Sequence, residues 1–236
     1  MIIDAIKNKI INADFRDYIR ELPDKCVDLL LTDPPYAIDI TRQLVKKDPY
    51  HKHGYQSWEI KEWDKERPTK EDFLEMIRVS KNQVIWGGNY FADLLPASQG
   101  WFVWDKGQRD FSLADGELAW TSFNKALRIF TYSRASALKD GKIHPTQKPV
   151  ALFEWILKLR TKENDLILDC YSGSGTTAIA CQNTGRNFIS FEKDSEYFNK
   201  SIKRLQENAI KVESERRQTK FIKVEECYEQ MRMGGF

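Results

Sequence analysis

The sequence predicts an α/β domain built on a doubly wound, mostly parallel sheet with helices on both faces and an antiparallel edge strand. Three observations carry this. Val27 to Thr32 (VDLLLT) is a short unbroken apolar run halted by Asp33-Pro34-Pro35, and Gln83 to Trp86 (QVIW) is another, halted by Gly87-Gly88. Such runs suit strands buried on both faces. Between them, a helical pattern from Glu71 to Val79 opens at Thr69 with Asp72 three residues on, which makes one strand, helix, strand unit. The second half repeats the alternation: a helix over Val150 to Leu159, a strand over Leu166 to Leu168, a helix over Thr176 to Asn183 closed by Gly185, a strand over Phe188 to Phe191, and a helix from Ser195 to about Glu215. The remaining elements are shorter. Phe15 to Leu22 reads as a helix, Trp101 to Trp104 as a strand, and Ala126 to Tyr132 as a strand that alternates as an antiparallel or edge strand would.

A chain of 236 residues suits one domain of this kind over 1–236. Stretches 37–70 and 107–125 have no clean period and read as inserted loops, and 217–236 reads as a charged tail without chemistry. The formal net charge of +2 is too small to name a partner, so any electrostatic footprint must be local. No run approaches the roughly 20 apolar residues of a membrane span, and Asp4, Lys7 and Lys9 are unlike a signal peptide. The four cysteines form no C-x-x-C pair, which argues against a zinc ribbon or a disulfide scaffold. The expectation is a cytoplasmic protein without a membrane or metal partner.

Leu166 to Asp169, then Gly173-Ser174-Gly175, then a helix opening at Thr176, is a strand, glycine turn and helix N-terminus in the order that cradles a nucleotide-like ligand. Glu192 follows the next strand, 23 residues after Asp169, near the spacing at which a carboxylate reaches ribose hydroxyls. A dinucleotide loop would carry a third glycine where Ala178 stands, and Asp169 would repel a pyrophosphate. A cationic or zwitterionic ligand such as S-adenosylmethionine suits that carboxylate better.

Asp33-Pro34-Pro35-Tyr36 stands at the carboxyl edge of a buried strand, where open α/β sheets bind ligands. The prolines lack N–H donors and leave carbonyls facing the site, the carboxylate accepts hydrogen bonds, and the ring offers a flat face. An exocyclic amino group on a planar base meets all three.

In these motifs the sequence resembles the DNA amino-methyltransferases of the β group, which methylate adenine N6 or cytosine N4 using S-adenosylmethionine. The likeness rests on Asp33-Pro34-Pro35-Tyr36 preceding Tyr171-Ser172-Gly173-Ser174-Gly175, on His144-Pro145-Thr146-Gln147-Lys148-Pro149 before the cofactor strand, and on Asn12-Ala13-Asp14, Trp63-Asp64 and Arg186 to Glu192. It covers roughly residues 8–205. Where the family usually has Asp-Pro-Phe, this chain has Asp169-Cys170-Tyr171. The resemblance implies a Rossmann-like class I methyltransferase sheet. It implies cofactor roles for Asp169, Tyr171, Gly173, Gly175, Thr176 and Glu192, for Thr146, Gln147 and Lys148 near the methionine end, and for Asp14 near the adenine.

It further implies that the target base is flipped out of double-stranded DNA. Tyr36 would stack on it while Asp33 and the Pro34 carbonyl accept the amino hydrogens. Adenine N6 is the expected target and cytosine N4 the alternative, because the family's N4 members often carry Ser where Asp33 stands; structured RNA comes third. A non-enzymatic S-adenosylmethionine- or nucleic-acid-binding module predicts no turnover, and a nicotinamide oxidoreductase is disfavoured by Ala178. Neither inserted loop is large enough for a separate reading domain. DNA recognition is therefore expected from the two inserted loops, 37–70 ahead of 107–125, with Arg42, Lys46, Lys47 and Lys52 on phosphates and Tyr55 on bases. A short target follows, or a homodimer that supplies further contact surface.

Overall fold

The computed structural model describes residues 2–42, 59, 61–109, 114–138 and 141–233, with the backbone alone for 138 and 219–233. Eight strands form one sheet in the order β1 (Lys9–Ile11), β8 (Asn187–Phe191), β7 (Leu166–Asp169), β2 (Val27–Thr32), β3 (Ser80–Trp86), β5 (Gly116–Thr121), β4 (Trp101–Asp105), β6 (Arg128–Thr131). The described helices are α1 (Ile2–Ile6), α2 (Arg16–Ile19), α3 (Lys70–Val79), α4 (Arg134–Leu138), α5 (Val150–Arg160), α6 (Thr176–Thr184) and α7 (Ser195–Met233).

The continuous apolar run of β2 is explained by a core on each side of the sheet. Leu30 joins Phe73 and Met76 of α3 and Ile19 of α2 on one face, while Leu29 and Leu31 join Phe153, Ile156 and Leu157 of α5 and Ala178 and Cys181 of α6 on the other. Each of these leucines is fully buried, worth about 1.5 to 3 kcal/mol apiece. Helix α3 starts where the sequence expects: the Thr69 hydroxyl accepts from Asp72 N at 3.2 Å and the Asp72 carboxylate accepts from Thr69 N at 2.8 Å. Asp72 also takes a bidentate Arg16 guanidinium at 2.8 Å, which ties α2 to α3.

Several details differ from the sequence reading. The antiparallel strand is β5, paired with β3 on one side and β4 on the other, so it lies inside the sheet; the edge strand β6 runs parallel to β4. Stretch 107–125 is therefore not all loop. Gly116 to Thr121 escapes a periodicity test because only Ala119, Trp120 and Thr121 are buried, in one consecutive run. Helix α7 runs to Met233 instead of stopping near Glu215. From Ser195 to Met233 it meets no Gly or Pro, and exposed pairs such as Glu213 with Arg217 support it at the i, i+4 spacing. Strand β1 was too short to register in the sequence and is held by parallel pairing to β8.

Candidate active site

The strand order reverses direction between β7 and β2. From β7 the chain crosses through α6 to β8 on one side, and from β2 through α3 to β3 on the other, so the carboxyl ends of β7 and β2 form the switch point where open sheets bind ligands. Asp169 ends β7 and Asp33 follows β2. A cavity of about 770 Å³ opens there, lined by Asp33 to Tyr36 towards one end and by Tyr171 to Ser174 and Glu192 towards the other.

The glycine loop is built as the sequence expects, with Gly173 at φ +52° and Gly175 at φ +74°. Space is also tight at 175, where a Cβ would come within 3.2 Å of Ser201 Cβ and 3.3 Å of Ile10 Cδ1. Glu192 clamps the loop: one carboxylate oxygen accepts from Gly173 N at 2.7 Å, the other from Asp194 N at 2.8 Å. Burial pushes the Glu192 carboxyl up to about 7, against those two amides.

Asp169 turns inward. It accepts from Thr32 Oγ1 at 2.8 Å, Thr177 Oγ1 at 2.5 Å and Tyr171 N at 3.1 Å, so it braces the loop from beneath, and burial raises its carboxyl to about 6. Thr176 is buried too; its hydroxyl donates to the Lys148 carbonyl at 3.2 Å and joins the cofactor loop to the His144–Pro149 segment. In that segment Thr146 Oγ1 lies 3.1 Å from His144 Nδ1, and the Gln147 side chain folds back on Ile143 N at 3.1 Å. His144 is packed between Trp63 and Tyr197, and burial beside Lys148 and Lys142 takes its imidazole down to about 3. Asp14 lines the cavity and holds Arg16 at 2.9 Å.

Lys148 does something the motif alone does not disclose. Its buried ammonium sits 2.5 Å from Asp33 Oδ2 and 2.9 Å from Glu117 Oε2, and the other Glu117 oxygen takes Lys106 at 2.8 Å. Two ammoniums pull the Glu117 carboxyl down to about 2. For Asp33, burial drives the carboxyl upward while Lys148 opposes it and favours the charged form. The second Asp33 oxygen accepts from the Tyr36 hydroxyl at 2.5 Å.

The segment after Asp33 is held by Asp64, which is 2% exposed and accepts from the amides of Tyr36, Ala37 and Ile40 at 2.7, 3.1 and 3.0 Å. Ala37 and Asp39 are left-handed there, at φ +60° and +50°. Sequence reasoning quoted Asp64 without a role and missed Glu117, which sits on the unrecognised strand β5. Of the residues expected to meet DNA, Arg42 pairs with Asp39 at 3.1 Å; Lys46, Lys47, Lys52 and Tyr55 lie outside the described residues.

Comparison with known proteins gives this geometry a family. The pattern of the DNA methylases that modify amino nitrogens N6 or N4 matches residues 46–204, two thirds of the chain. This chain belongs to the N6/N4 DNA methylase family. The type II methyltransferase M2.DpnII of Streptococcus pneumoniae is 28% identical to this DNA methylase over 250 aligned positions, covering 85% of the chain and 91% of that protein. M2.LlaDCHI of Lactococcus lactis subsp. cremoris is 26% identical, covering 85% and 90%. Among solved structures, the M1.HpyAVI complex with SAM is similar at a TM-score of 0.55 and 26% identity, over 84% of this chain and 98% of that one. The cytosine-N4-specific PvuII DNA methyltransferase shares the fold of this DNA methylase, with a TM-score of 0.56 at 16% identity, over 86% and 92%. No described helix is long and apolar enough to cross a membrane.

Proposed function

We propose that this DNA methylase transfers the methyl group of S-adenosylmethionine to the N6 amino group of an adenine turned out of duplex DNA at a specific site. The observation that carries the reading is the single cavity in which Asp33, Pro34 and Tyr36 stand beside the glycine loop across the switch point. The residues fit the cofactor. Tyr171 and Ser172 line this cavity, and Tyr171 OH and Ser172 Oγ have no hydrogen-bond partner among the described residues, so a small side-chain turn would offer both to a polar ligand. Glu192 would accept from the ribose hydroxyls, Asp14 would face the adenine end, and Thr146 the methionine end. When bound, S-adenosylmethionine supplies an electrophilic methyl group on a positively charged sulfur.

The chain's own residues hold the acceptor. A carboxylate oxygen has a second lone pair, so Asp33 can accept one amino hydrogen while it keeps Lys148 and Tyr36. The Pro34 carbonyl accepts the other. Both pull the nitrogen lone pair out of the ring's conjugation and aim it at the methyl group, a contribution of orientation and electrostatics more than of basicity. Lys148 favours the charged form of Asp33 against the upward push of burial, and Glu117 holds Lys148 in place. Recognition falls to loop 37–70 on the catalytic domain, in the cytoplasm with the DNA, with a short target or a second copy of the chain completing the contact. Sequencing total DNA from cells expressing the chain, with detection of N6-methyladenine and N4-methylcytosine, tests base and site together; methylation of cytosine alone, or of neither base, overturns the reading.

A further inference from the structure

The ring meant to receive the base is already covered. Tyr90 lies parallel to Tyr36, with ring centroids 4.6 Å apart and planes 12° from each other, too close for a base to enter between them. The rest of the Tyr36 ring is walled in. A Cβ on Gly87 would fall 2.1 Å from Tyr36 Cε1 and 2.5 Å from Cζ, so that backbone abuts the ring, and Phe91 meets it edge-on at 6.0 Å. Gly87 and Phe91 are buried, whereas Tyr90 is 40% exposed, so only Tyr90 has room to leave.

The backbone beneath Tyr90 is pinned. Its amide donates to the Gly87 carbonyl at 2.8 Å, and its own carbonyl accepts from Arg67, which is held in turn by Asp93. Departure is therefore a rotation of one exposed side chain, a motion on the picosecond to nanosecond scale that adds no slow step.

We infer that Tyr90 is a stand-in for the target base: its ring occupies the stacking face of Tyr36 while the site waits, and the incoming planar base takes its position. The inference rests on the base-flipping reading above. It accounts for an exposed tyrosine stacked on a site residue, and for how the apolar face of Tyr36 is kept from water before DNA arrives. It gives Tyr90 a cost as well as a use, because each base must displace an aromatic pair worth a few-fold in affinity.

The test uses the full chain and a duplex of the site found methylated in cells, with 2-aminopurine at the target position, against the same duplex with an abasic target. Tyr90→Ala should bind the 2-aminopurine duplex about three- to tenfold more tightly than the wild type, the aromatic pair's contribution converted to affinity, with no change on the abasic duplex. Tyr90→Leu should behave in the same way, and Tyr90→Phe, which restores the ring, should return the affinity towards wild type. Equal or weaker binding of the 2-aminopurine duplex by the Ala and Leu variants overturns the inference, as does a gain that appears equally on the abasic duplex. If the wild type raises no 2-aminopurine fluorescence on binding, the base-flipping reading fails first and this inference falls with it.

Discussion

Lys148 Nζ stands 2.5 Å from Asp33 Oδ2, so the carboxylate proposed to receive the amino group is held by a buried cation. Replacing Asp33 with Ala should reduce methyl transfer by at least about 10²-fold, the usual worth of a positioned electrostatic contact. Cofactor affinity should stay within a few-fold, because Asp33 addresses the base. Turnover near the wild-type rate, measured with labelled cofactor on DNA, would remove Asp33 from the mechanism.

Glu192 should make cofactor binding sensitive to pH near neutrality. Its carboxyl is pushed up to about 7 by burial, and the charged form is the better acceptor for ribose hydroxyls. Affinity for S-adenosylmethionine should rise as pH climbs towards 7, by up to about tenfold per pH unit, and level off above it. Stability of the unliganded chain should move the opposite way: an acid with a raised folded-state value contributes its stability at low pH and loses it as pH rises through about 7. Calorimetry at pH 6 and pH 8 checks the first statement. Glu192→Gln should abolish the dependence, and a wild-type affinity that does not change with pH refutes the assignment.

Asp64 should matter to turnover without touching the reaction. It anchors three amides of the turn that carries Tyr36, and hydrogen bonds to a charged acceptor are each worth about 1.5 to 3 kcal/mol. Asp64→Ala should therefore lower stability to denaturant by at least about 3 kcal/mol and lower kcat under conditions where the variant is folded, while cofactor affinity holds. A variant with normal kcat would make Asp64 a stability residue only.

Neutralising Lys46, Lys47 and Lys52 together should weaken DNA binding and reduce the slope of log K against log salt by about 2 to 3 units. Cofactor binding should be unaffected. If the slope stays at its wild-type value, recognition belongs to another surface.

The architecture was legible where local signals agreed. The breakers after β2 and β3, the Thr69–Asp72 cap of α3 and the glycine turn before α6 each state their structure within a few residues. Asp33 and the glycine loop could be brought to one sheet edge because alternating strands and helices leave few ways to order a parallel sheet. Glu117 was beyond reach for the opposite reason: its strand pairs with β3 and β4, distant in the chain, and nothing in Gly116 to Thr121 alternates. Lys148 was assigned to the cofactor by resemblance, yet its partners are Asp33, 115 residues away, and Glu117. Pairings over such separations are set by the register of the sheet, which no short window contains. Asp169 shows the same limit, since its partners Thr32 and Thr177 lie on another strand and on the following helix.

The hydrogen bond from Thr32 to Asp169 joins adjacent strands at the point where both motifs begin. The separation of the two motifs is thereby set by strand spacing, a quantity of about 4.8 Å that side-chain exchange elsewhere does not alter. Loops outside that seam are free to diverge. With the proposed reader carried on 43–58, a lineage could exchange that stretch and acquire a new target in one event while Asp64 keeps the Tyr36 turn in place, so recognition segments from other methylases are best grafted between Arg42 and Lys61.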